Sequence, residues 1–267
     1  MMKQVIQDSE YQSRQVSDLS IAPHPALRQY YPELGARQDF LNELFNRTAY
    51  QYRNVDRATG FGYGIWYRRR ALLTAGLKPA MHMLDVACGP ALMAQCAHDI
   101  VGPSGSVIGL DPSIGMLREA QKGPCDKLVL GVGERLPFTD ASFDFLSMGY
   151  ALRHVSDLRA AFLEFRRVLK QGGIVLLLDI CRPRSPLFIS LSRFYIKKVL
   201  GTIFVASTGN RDMKTLMEYW WDTTESCVPP QTIIGTLKDS GFVDCGSQEM
   251  FNGLLRDYRA VKAGTYL

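Results

Sequence analysis

The sequence lacks the features that would place it among metal-binding, disulfide-rich or membrane-spanning proteins. Its six cysteines are scattered and form no C-x-x-C pair, so we expect neither a metal site nor a disulfide framework. No run of about 18 uncharged apolar residues occurs, so no membrane-spanning helix is expected. The N-terminal stretch MMKQVIQDSEYQ contains no apolar segment of the kind found in signal peptides. These absences favour a cytoplasmic protein with reduced thiols.

The charge balance excludes few classes of protein, but it argues against a nucleic-acid-binding protein. A formal net charge of +5 is small for a protein that neutralises phosphates. It allows weak attraction to acidic surfaces, which leaves a peripheral membrane contact open, and the sequence also leaves a homodimer open. An apolar content of 46% in 267 residues is enough for the core of one domain. We assign that domain to residues 43–267 and treat residues 1–42 as an N-terminal extension.

The rest of the chain is organised around residues 83–111, MLDVACGPALMAQCAHDIVGPSGSVIGLD. An apolar run ends at Asp85, a turn of small residues follows, and after a helical stretch a second apolar run ends at Asp111. This order predicts strand, turn, helix and strand, with an acid at the carboxyl end of each strand, which is how an open parallel sheet builds a nucleotide pocket. The turn is small because a ligand approaches its backbone. Asp111 can accept hydrogen bonds from both hydroxyls of a ribose.

The turn does not have the G-x-G-x-x-G spacing of dinucleotide-binding proteins, since it reads C-G-P-A with no third glycine. The order acid-x-x-x-Gly, from Asp85 to Gly89, instead resembles the first motif of class I S-adenosylmethionine-dependent methyltransferases. The ligand of that family has no pyrophosphate, so one glycine with small neighbours suffices. The resemblance implies S-adenosylmethionine as the cofactor. A generic strand–turn–helix unit and a dinucleotide-dependent oxidoreductase are the alternatives.

The order of apolar runs and turns predicts the α/β fold of that family, a Rossmann-like three-layer sandwich with a seven-stranded, mostly parallel sheet and a C-terminal antiparallel hairpin. Gly172 and Gly173 are expected to end a helix over about 157–170. An insertion over about 184–228 is rich in Phe, Ile, Leu and Trp, which predicts a lid over a hydrophobic substrate. The alternative is a helix that only packs in the core. The predicted strands are about 81–86, 106–111, 127–131, 143–148, 174–180, 242–249 and 254–261.

Two segments resemble a more specific family within the class I methyltransferases. GYALRHVSD at 149–157 and RVLKQGGIVLLLDICRP at 167–183 resemble the quinone-biosynthesis C-methyltransferases, which methylate the ring in ubiquinone and menaquinone assembly. The similarity covers about residues 43–265. The chain departs from that family's pattern where it has His154 for an asparagine and Asp179 for a glutamate. It also has Gly64 near the place of a histidine.

This resemblance implies C-methylation of a hydrophobic or aromatic small molecule, such as a quinone precursor or a secondary metabolite. The alternatives are an O- or N-methyltransferase of a secondary metabolite and a protein that binds the cofactor without methylating. Arg153 and His154 follow strand four, and the matching pair in the similar enzymes is implicated in activating the substrate hydroxyl through water. We expect Arg153 to hold a developing phenolate, and His154, with an unperturbed pKa of about 6.5, to act as a base.

The arginines at 68–70 are expected to form a solvated face.

The strand ends and the resemblance together predict which residues contact the cofactor and which contact the substrate. The residues expected to contact the cofactor are Asp85, Ala87, Cys88, Gly89, Asp111, Pro112, Met116, Gly133, Glu134 and Gly149. The residues expected to contact the substrate are Tyr63, Trp66, Tyr150, Tyr195, Tyr219 and Trp220.

Overall fold

One seven-stranded sheet carries the loops that matter for function. The computed structural model describes residues 20–60 and 62–264. The strands lie in the order β3-β2-β1-β4-β5-β7-β6, with β7 antiparallel to its neighbours and the first five strands parallel. The predicted α/β class and its C-terminal hairpin are confirmed. The strands are β1 (His82–Val86), β2 (Ser106–Asp111), β3 (Lys127–Leu130), β4 (Phe143–Gly149), β5 (Leu169–Ile180), β6 (Phe242–Met250) and β7 (Leu255–Lys262).

Helices cover both faces of this sheet, as the alternation of apolar strands and amphipathic stretches predicts. A π-helical turn, Tyr195–Leu200, joins the helices Pro186–Phe194 and Gly201–Thr208. The α-helices are α1 (Arg37–Thr48), α2 (Tyr52–Thr59), α3 (Gly64–Ala75), α4 (Leu92–Val101), α5 (Ile114–Ala120), α6 (Leu158–Val168), α7 (Pro186–Phe194), α8 (Gly201–Thr208), α9 (Asp212–Ser226) and α10 (Pro230–Asp239).

The strand order reverses beside β1, and this reversal positions the site. Leu84 of β1 lies opposite Ile108 of β2 on one side and Leu146 of β4 on the other. The chain runs from β1 outward to β3, and then crosses back to β4 on the opposite side. Loops that leave the carboxyl ends of β1 and β4 therefore diverge and open a crevice between them, the usual place for a ligand in an open parallel sheet.

Two apolar layers hold the helices against the sheet. On one face Phe162 and Phe165 of α6 pack against β-strand residues such as Leu146, and all three are fully buried. On the other face Leu72 of α3 and Ala94 of α4 pack against strand residues that are equally buried. The helical spacing of most apolar residues in α6 places them toward the sheet, whereas Leu163 is exposed. This packing fixes the carboxyl ends of the strands relative to one another.

The expected role of Gly172 and Gly173 as a helix stop is wrong. Helix α6 already ends at Val168, and both glycines lie inside β5. The pairing of β4 with β5 is irregular there, since Phe143 lies opposite Leu169 but Phe145 lies opposite Ile174. Gly172 has a φ of 72°, and a Cβ on Gly173 would lie 2.8 Å from the Lys170 carbonyl oxygen. The glycines therefore allow a bulge in the strand rather than the end of a helix.

Residues 186–226 form a helical layer over the carboxyl edge of the sheet. A third apolar cluster unites this layer with α1 and the segment before it, and includes Tyr31, Leu41, Ile196, Phe204 and Met217. Among the residues described, no helix is both long and apolar enough to cross a membrane. The helical layer thus buries its inner face against the N-terminal part of the domain and leaves its outer face exposed.

Candidate active site

The turn after β1 is a left-handed backbone that brings N–H groups toward the crevice. Ala87, Gly89 and Ala91 have φ values of 53°, 55° and 63°. Ala87 and Ala91 carry a Cβ and therefore adopt the left-handed conformation at a steric cost. The Gly89 N–H donates to Oδ2 of Asp111 at 2.8 Å, and the Ser113 N–H donates to Oδ1 at 2.8 Å. Asp111 therefore ties the end of β2 to this turn.

Two buried carboxyl groups flank the turn, and burial raises the pKa of both. The pKa of Asp85 rises to about 7, although the Ser147 hydroxyl, which donates to Oδ1 at 2.5 Å, opposes the shift. The pKa of Asp111 rises to about 6, with its two N–H donors opposing the effect of burial. The Oδ2 atom of Asp85 is buried without a hydrogen-bond partner among the described residues. An oxygen in this state can accept a hydrogen bond from a cationic ligand group without losing an existing partner.

A cavity of about 390 Å³ lies between this turn and the helices above the sheet. Its volume is within the usual range of small-molecule sites. The cavity continues from the two carboxyl groups into a space walled by aromatic and aliphatic side chains. The walls come from α1, α2, α3, the loop after β4, α7, α9 and the β6–β7 turn. Residues of this wall include Phe45, Tyr52, Val55, Tyr63, Tyr67, Tyr150, Phe188, Trp220, Phe251, Leu254 and Leu255.

Most of the residues expected to contact the cofactor lie together on this cavity. Gly133 and Glu134 lie outside its lining. A Cβ on Gly133 would meet Cγ1 of Val86 at 3.3 Å, so this position faces the core, and Glu134 accepts the Ser156 N–H. The expected cofactor residues that do line the cavity are Asp85, Ala87, Cys88, Gly89, Asp111, Pro112, Met116 and Gly149.

These residues fit S-adenosylmethionine. The cofactor carries an ammonium group and a sulfonium, both positive, together with a carboxylate and a ribose diol. The unpartnered Oδ2 of Asp85 suits a positively charged group, and the carboxylate of Asp111 retains lone pairs for hydroxyl donors beside its two N–H partners. The small turn leaves its backbone accessible, because nothing lies within 4 Å of a Cβ placed on Gly89. The chemistry of these acceptors therefore matches the cofactor's positive groups and hydroxyls.

The residues expected to contact substrate are divided by the fold. Tyr63, Tyr150 and Trp220 line the cavity. Trp66 lies outside the lining and is half-exposed, with the Arg70 guanidinium 5.4 Å from its ring centroid. Tyr195 also lies outside the lining, and its hydroxyl donates to the Ala58 carbonyl at 3.4 Å. Tyr219 is fully buried behind the cavity wall, where its ring stacks on His154 with centroids 5.7 Å apart.

Arg153 and His154 differ in their position relative to the cavity. The Arg153 guanidinium is fully buried outside the cavity lining, donates to Asp179 Oδ1 at 2.6 Å and lies 5.4 Å from the Trp220 ring centroid. His154 lines the cavity between Tyr219 and Phe45, with its Nδ1 buried and unpartnered among the described residues. Burial, reinforced by the positive charge of Arg153, holds the pKa of His154 well below its usual value. His154 is therefore neutral at pH 7.

A residue that sequence reasoning missed holds this loop in place. Arg37 of α1 is buried and donates to the Arg153 carbonyl from Nη2 and to the Val155 carbonyl from Nη1, each at 2.8 Å. Its Nη2 also lies 3.2 Å from Nε2 of His24. The two carbonyls flank His154, so Arg37 fixes the backbone that presents this side chain to the cavity. No local sequence signal reveals the contact with these two carbonyls, because they lie more than 100 residues away along the chain.

The expectation that the arginines at 68–70 form a solvated face is wrong for Arg68. Arg69 and Arg70 are exposed, but Arg68 is only 4% exposed and lines the cavity. It forms an ion pair with Asp56 on the preceding helix, α2. Position on α3 explains the difference, since Arg68 shares the inward face with Leu72 whereas its two neighbours point outward.

Comparisons with known proteins agree with this geometry. A model of the ubiE/COQ5 methyltransferase family matches residues 34–262. The chain is 32% identical to a demethylmenaquinone methyltransferase of Staphylococcus epidermidis over 215 residues, 78% of this chain and 87% of that protein. It is 29% identical to the Staphylococcus aureus protein of the same name over 225 residues, 82% of this chain and 91% of that one.

Two solved structures resemble the fold. A SAM-dependent methyltransferase from Thermotoga maritima matches with a TM-score of 0.60 and 20% identity, over 83% of this chain and 99% of that one. A Haemonchus contortus phosphoethanolamine N-methyltransferase bound to S-adenosylhomocysteine matches with a TM-score of 0.57 and 18% identity, over 84% and 60% of the respective chains.

The chain therefore belongs to the ubiE/COQ5 methyltransferase family, and it is an S-adenosylmethionine-dependent methyltransferase. The cofactor and the class of enzyme expected from the turn after β1 are confirmed. The dinucleotide-dependent oxidoreductase is thereby excluded.

Proposed function

We propose that this member of the ubiE/COQ5 family methylates a ring carbon of a demethylmenaquinone-type hydroquinone that carries an apolar side chain. The observation that carries the proposal is the single cavity that joins the cofactor cradle to an apolar space walled by aromatic residues such as Tyr52, Tyr150 and Trp220. The names of the Staphylococcus relatives supply the ring system. The hydroquinone is the reactive form, since a quinone ring is electron-poor whereas a phenolic ring is electron-rich.

The chain's main contribution is positioning. S-adenosylmethionine, when bound, supplies an electrophilic methyl group and a neutral leaving group. Asp85, Asp111 and the turn around Gly89 hold it, and the apolar wall orients the acceptor ring and excludes water. Alignment of this kind contributes as much as ~7–11 kcal/mol in favourable cases. A carbon nucleophile also needs its hydroxyl to lose a proton, which calls for a base or a positive charge near that oxygen.

His154 is the proposed base at the cavity, because it lines the space and is neutral there. Its lowered pKa makes it a weaker base than an exposed histidine, so it relays a proton rather than retaining it. Arg153 does not reach the cavity lining and serves as a positioning residue. Its ion pair with Asp179 and its contact with Trp220 hold the loop and the wall together.

The proposal includes a lid over the substrate end of the cavity and an exposed surface that contacts a membrane. The insertion over about 184–228, within the domain assigned to residues 43–267, covers the substrate end of the cavity. Phe188, Tyr63 and Phe251 line the cavity and are also 40–61% exposed. Leu187, Leu191 and Phe194 continue this exposed apolar surface along α7, beside a second concavity that contains Arg182, Arg184 and Arg193. Apolar side chains next to arginines suit a peripheral contact with an anionic membrane, from which a cytoplasmic enzyme could take a prenylated acceptor.

The function is tested with purified protein, S-adenosylmethionine and a demethylmenaquinol with a short prenyl chain, kept reduced under anaerobic conditions. The expected product is about 14 mass units heavier, with a new methyl group bound to a ring carbon by NMR. A methoxy signal would assign O-methylation instead. Absence of product with this acceptor, while S-adenosylhomocysteine still binds, would refute the proposed substrate.

The membrane contact is tested by sedimentation with vesicles of neutral and of anionic phospholipid. Binding is expected with anionic vesicles and is expected to weaken in Leu187→Ser/Leu191→Ser. Leu163→Ser on α6 is the matched control, because Leu163 is also an exposed leucine on a helix, 45% exposed, but lies away from the cavity. Equal binding by the three proteins would refute this surface.

A further inference from the structure

The cavity contains an ion pair that the proposed chemistry has not yet used. Nη1 of Arg68 donates to Oδ2 of Asp56 at 3.2 Å, and Nη2 donates to Oδ1. The side chains are 5% and 17% exposed, and both residues line the cavity. Such a fork-like pair holds the guanidinium plane in one orientation. Asp56 occupies two of the five N–H donors of Arg68, which leaves donors for another partner.

Arg68 differs electrostatically from every other described residue on the cavity wall. It is the one described lining residue there with a permanent positive charge, since His154 is neutral and the remaining ionisable groups are carboxyls, phenols and the thiol of Cys88. The carboxyl group of Asp85 suits a cation of the cofactor, and that of Asp111 suits its ribose hydroxyls. A phenolate oxygen on the acceptor needs the opposite sign, and within this cavity Arg68 supplies it.

Gly64 makes room for this pair. A Cβ on Gly64 would lie 2.8 Å from Nη1 of Arg68 and 3.1 Å from Oδ2 of Asp56. The first distance is too short for any side chain to be added without moving the guanidinium. The glycine near the place of the family's histidine is therefore matched to the Asp56–Arg68 pair, one turn further along α3.

Tyr150 supports the guanidinium from below. The carbon at the centre of the guanidinium lies 4.9 Å from the centroid of the Tyr150 ring, a cation–π contact. Tyr150 adopts a φ of 61°, which is costly for an aromatic residue. Its N–H donates to the Leu178 carbonyl at 2.7 Å, which holds this conformation at the end of β4. The strained backbone thus places an aromatic face beneath Arg68 at the carboxyl edge of the sheet.

We propose that Arg68, held by Asp56 and Tyr150 in the space left by Gly64, binds the hydroxyl oxygen of the acceptor and stabilises it as a phenolate. The assignment of a hydroquinone acceptor rests on the proposed function, whereas the site itself requires only a phenolic oxygen. His154, the proposed base, accepts the hydroxyl proton, the ring carbon forms its bond to the methyl group, and the bond from that methyl to sulfur breaks. The ring then loses the proton from the methylated carbon to solvent, and the oxygen regains its own proton from His154. One proton is released in total.

The direct test measures the pKa of a bound phenol without turnover. The probe is 4-nitro-1-naphthol, whose phenolate is coloured, added to protein saturated with S-adenosylhomocysteine. A cation in contact with the oxygen should lower the probe's pKa by about one to three pH units relative to the free probe. In Arg68→Met/Asp56→Asn most of this lowering should be lost. The double variant is used because it leaves no unpaired buried charge, and its fold is checked by its urea midpoint.

Two further variants sharpen the result. Arg69→Met is the matched control, since Arg69 is the exposed neighbour of Arg68, and it should leave the probe's pKa unchanged. Gly64→Ala keeps every charge but displaces the guanidinium, and should raise the probe's pKa toward that of the free probe. An unchanged probe pKa in the folded double variant, or in Gly64→Ala, would overturn the inference.

The affinity for S-adenosylhomocysteine distinguishes a role of Arg68 in binding the phenol from a role in binding the cofactor. Calorimetry with S-adenosylhomocysteine should give similar affinities for the wild type and the double variant. A tenfold loss of that affinity together with an unaltered probe pKa would assign Arg68 to the carboxylate of the cofactor and overturn the inference. With demethylmenaquinol, the turnover number of the double variant should fall about 10²–10³-fold. If demethylmenaquinol is not a substrate but the probe's pKa depends on Arg68, the proposed function fails while the phenol site stands.

Discussion

The carboxylate of Asp111 accepts the N–H of Gly89 at 2.8 Å, which joins the carboxyl end of β2 to the turn after β1. This contact links two segments that are 22 residues apart in the chain and both face the cavity. It fixes the left-handed turn and keeps the carboxylate oriented toward the crevice. Loss of the charge at Asp111 should therefore affect ligand binding more than folding.

Replacement of Asp111 by asparagine should weaken the binding of S-adenosylhomocysteine by one to two orders of magnitude. A hydrogen bond to a charged group contributes about 1.5–3 kcal/mol, and each ~1.4 kcal/mol is a factor of ten. Isothermal calorimetry measures the change. Asp99→Asn, an exposed carboxylate on α4, is the control and should bind normally. Equal affinities for the two variants would contradict the assignment of the ribose to Asp111.

The affinity for S-adenosylhomocysteine should rise with pH and level off above the pKa of Asp85, about 7. Binding of an ammonium group requires ionised carboxyls, so below that pH the free protein must release a proton on binding. Calorimetry between about pH 5.5 and pH 8 tests this, and Asp85→Asn should flatten the upper part of the rise. A pH-independent affinity in the wild type would contradict it.

The same shift has the opposite effect on stability. Because the pKa of Asp85 is raised from 3.8 in the folded protein, the folded state binds more protons between that value and about 7. The ligand-free wild type should thus lose stability relative to Asp85→Asn as pH rises through this window. Urea denaturation of the wild type and of Asp85→Asn at several pH values measures this difference in the free energy of unfolding. It tests the raised pKa of Asp85 independently of the calorimetry.

Removal of Arg153 should destabilise the protein strongly. Arg153→Met leaves Asp179 buried without its partner, at a cost of about 3–5 kcal/mol, whereas Arg153→Met/Asp179→Leu should regain most of it. Arg193→Met is the control, since its ion pair with Glu225 is partly exposed and should contribute no more than about 1 kcal/mol. Urea denaturation measures all three. Normal turnover by the folded double variant would show that Arg153 is structural only.

Trp220 and Trp221 should respond differently to replacement by alanine. Trp220 lines the cavity, so Trp220→Ala should raise the Michaelis constant for the prenylated acceptor much more than that for the cofactor. Trp221 is fully buried away from the lining, with Nε1 donating to Glu225 at 3.0 Å, so Trp221→Ala should cost about 3–5 kcal/mol of stability without this selectivity. Steady-state kinetics and urea denaturation distinguish the two. Equal effects on both Michaelis constants in Trp220→Ala would favour a plain core role.

Local patterns in the sequence determined the fold class and the cofactor end of the site. The run that ends at Asp85, the small turn to Gly89 and the run that ends at Asp111 predict strand ends, and parallel strands bring their carboxyl ends to one edge. These residues lie close together because the order of strands requires it. The hairpin at the C-terminus was likewise readable from apolar runs and turns.

Only the tertiary structure decided which side chains face the cavity. Arg68 and Arg153 both lie beside other basic residues in the sequence, yet Arg68 reaches the cavity and Arg153 is enclosed behind it with Asp179. Arg37 became important through two carbonyls that flank His154. The burial and the partner of a charged side chain depend on helices and loops brought together from distant parts of the chain. Local sequence periodicity specifies the face of an element but not what that face meets.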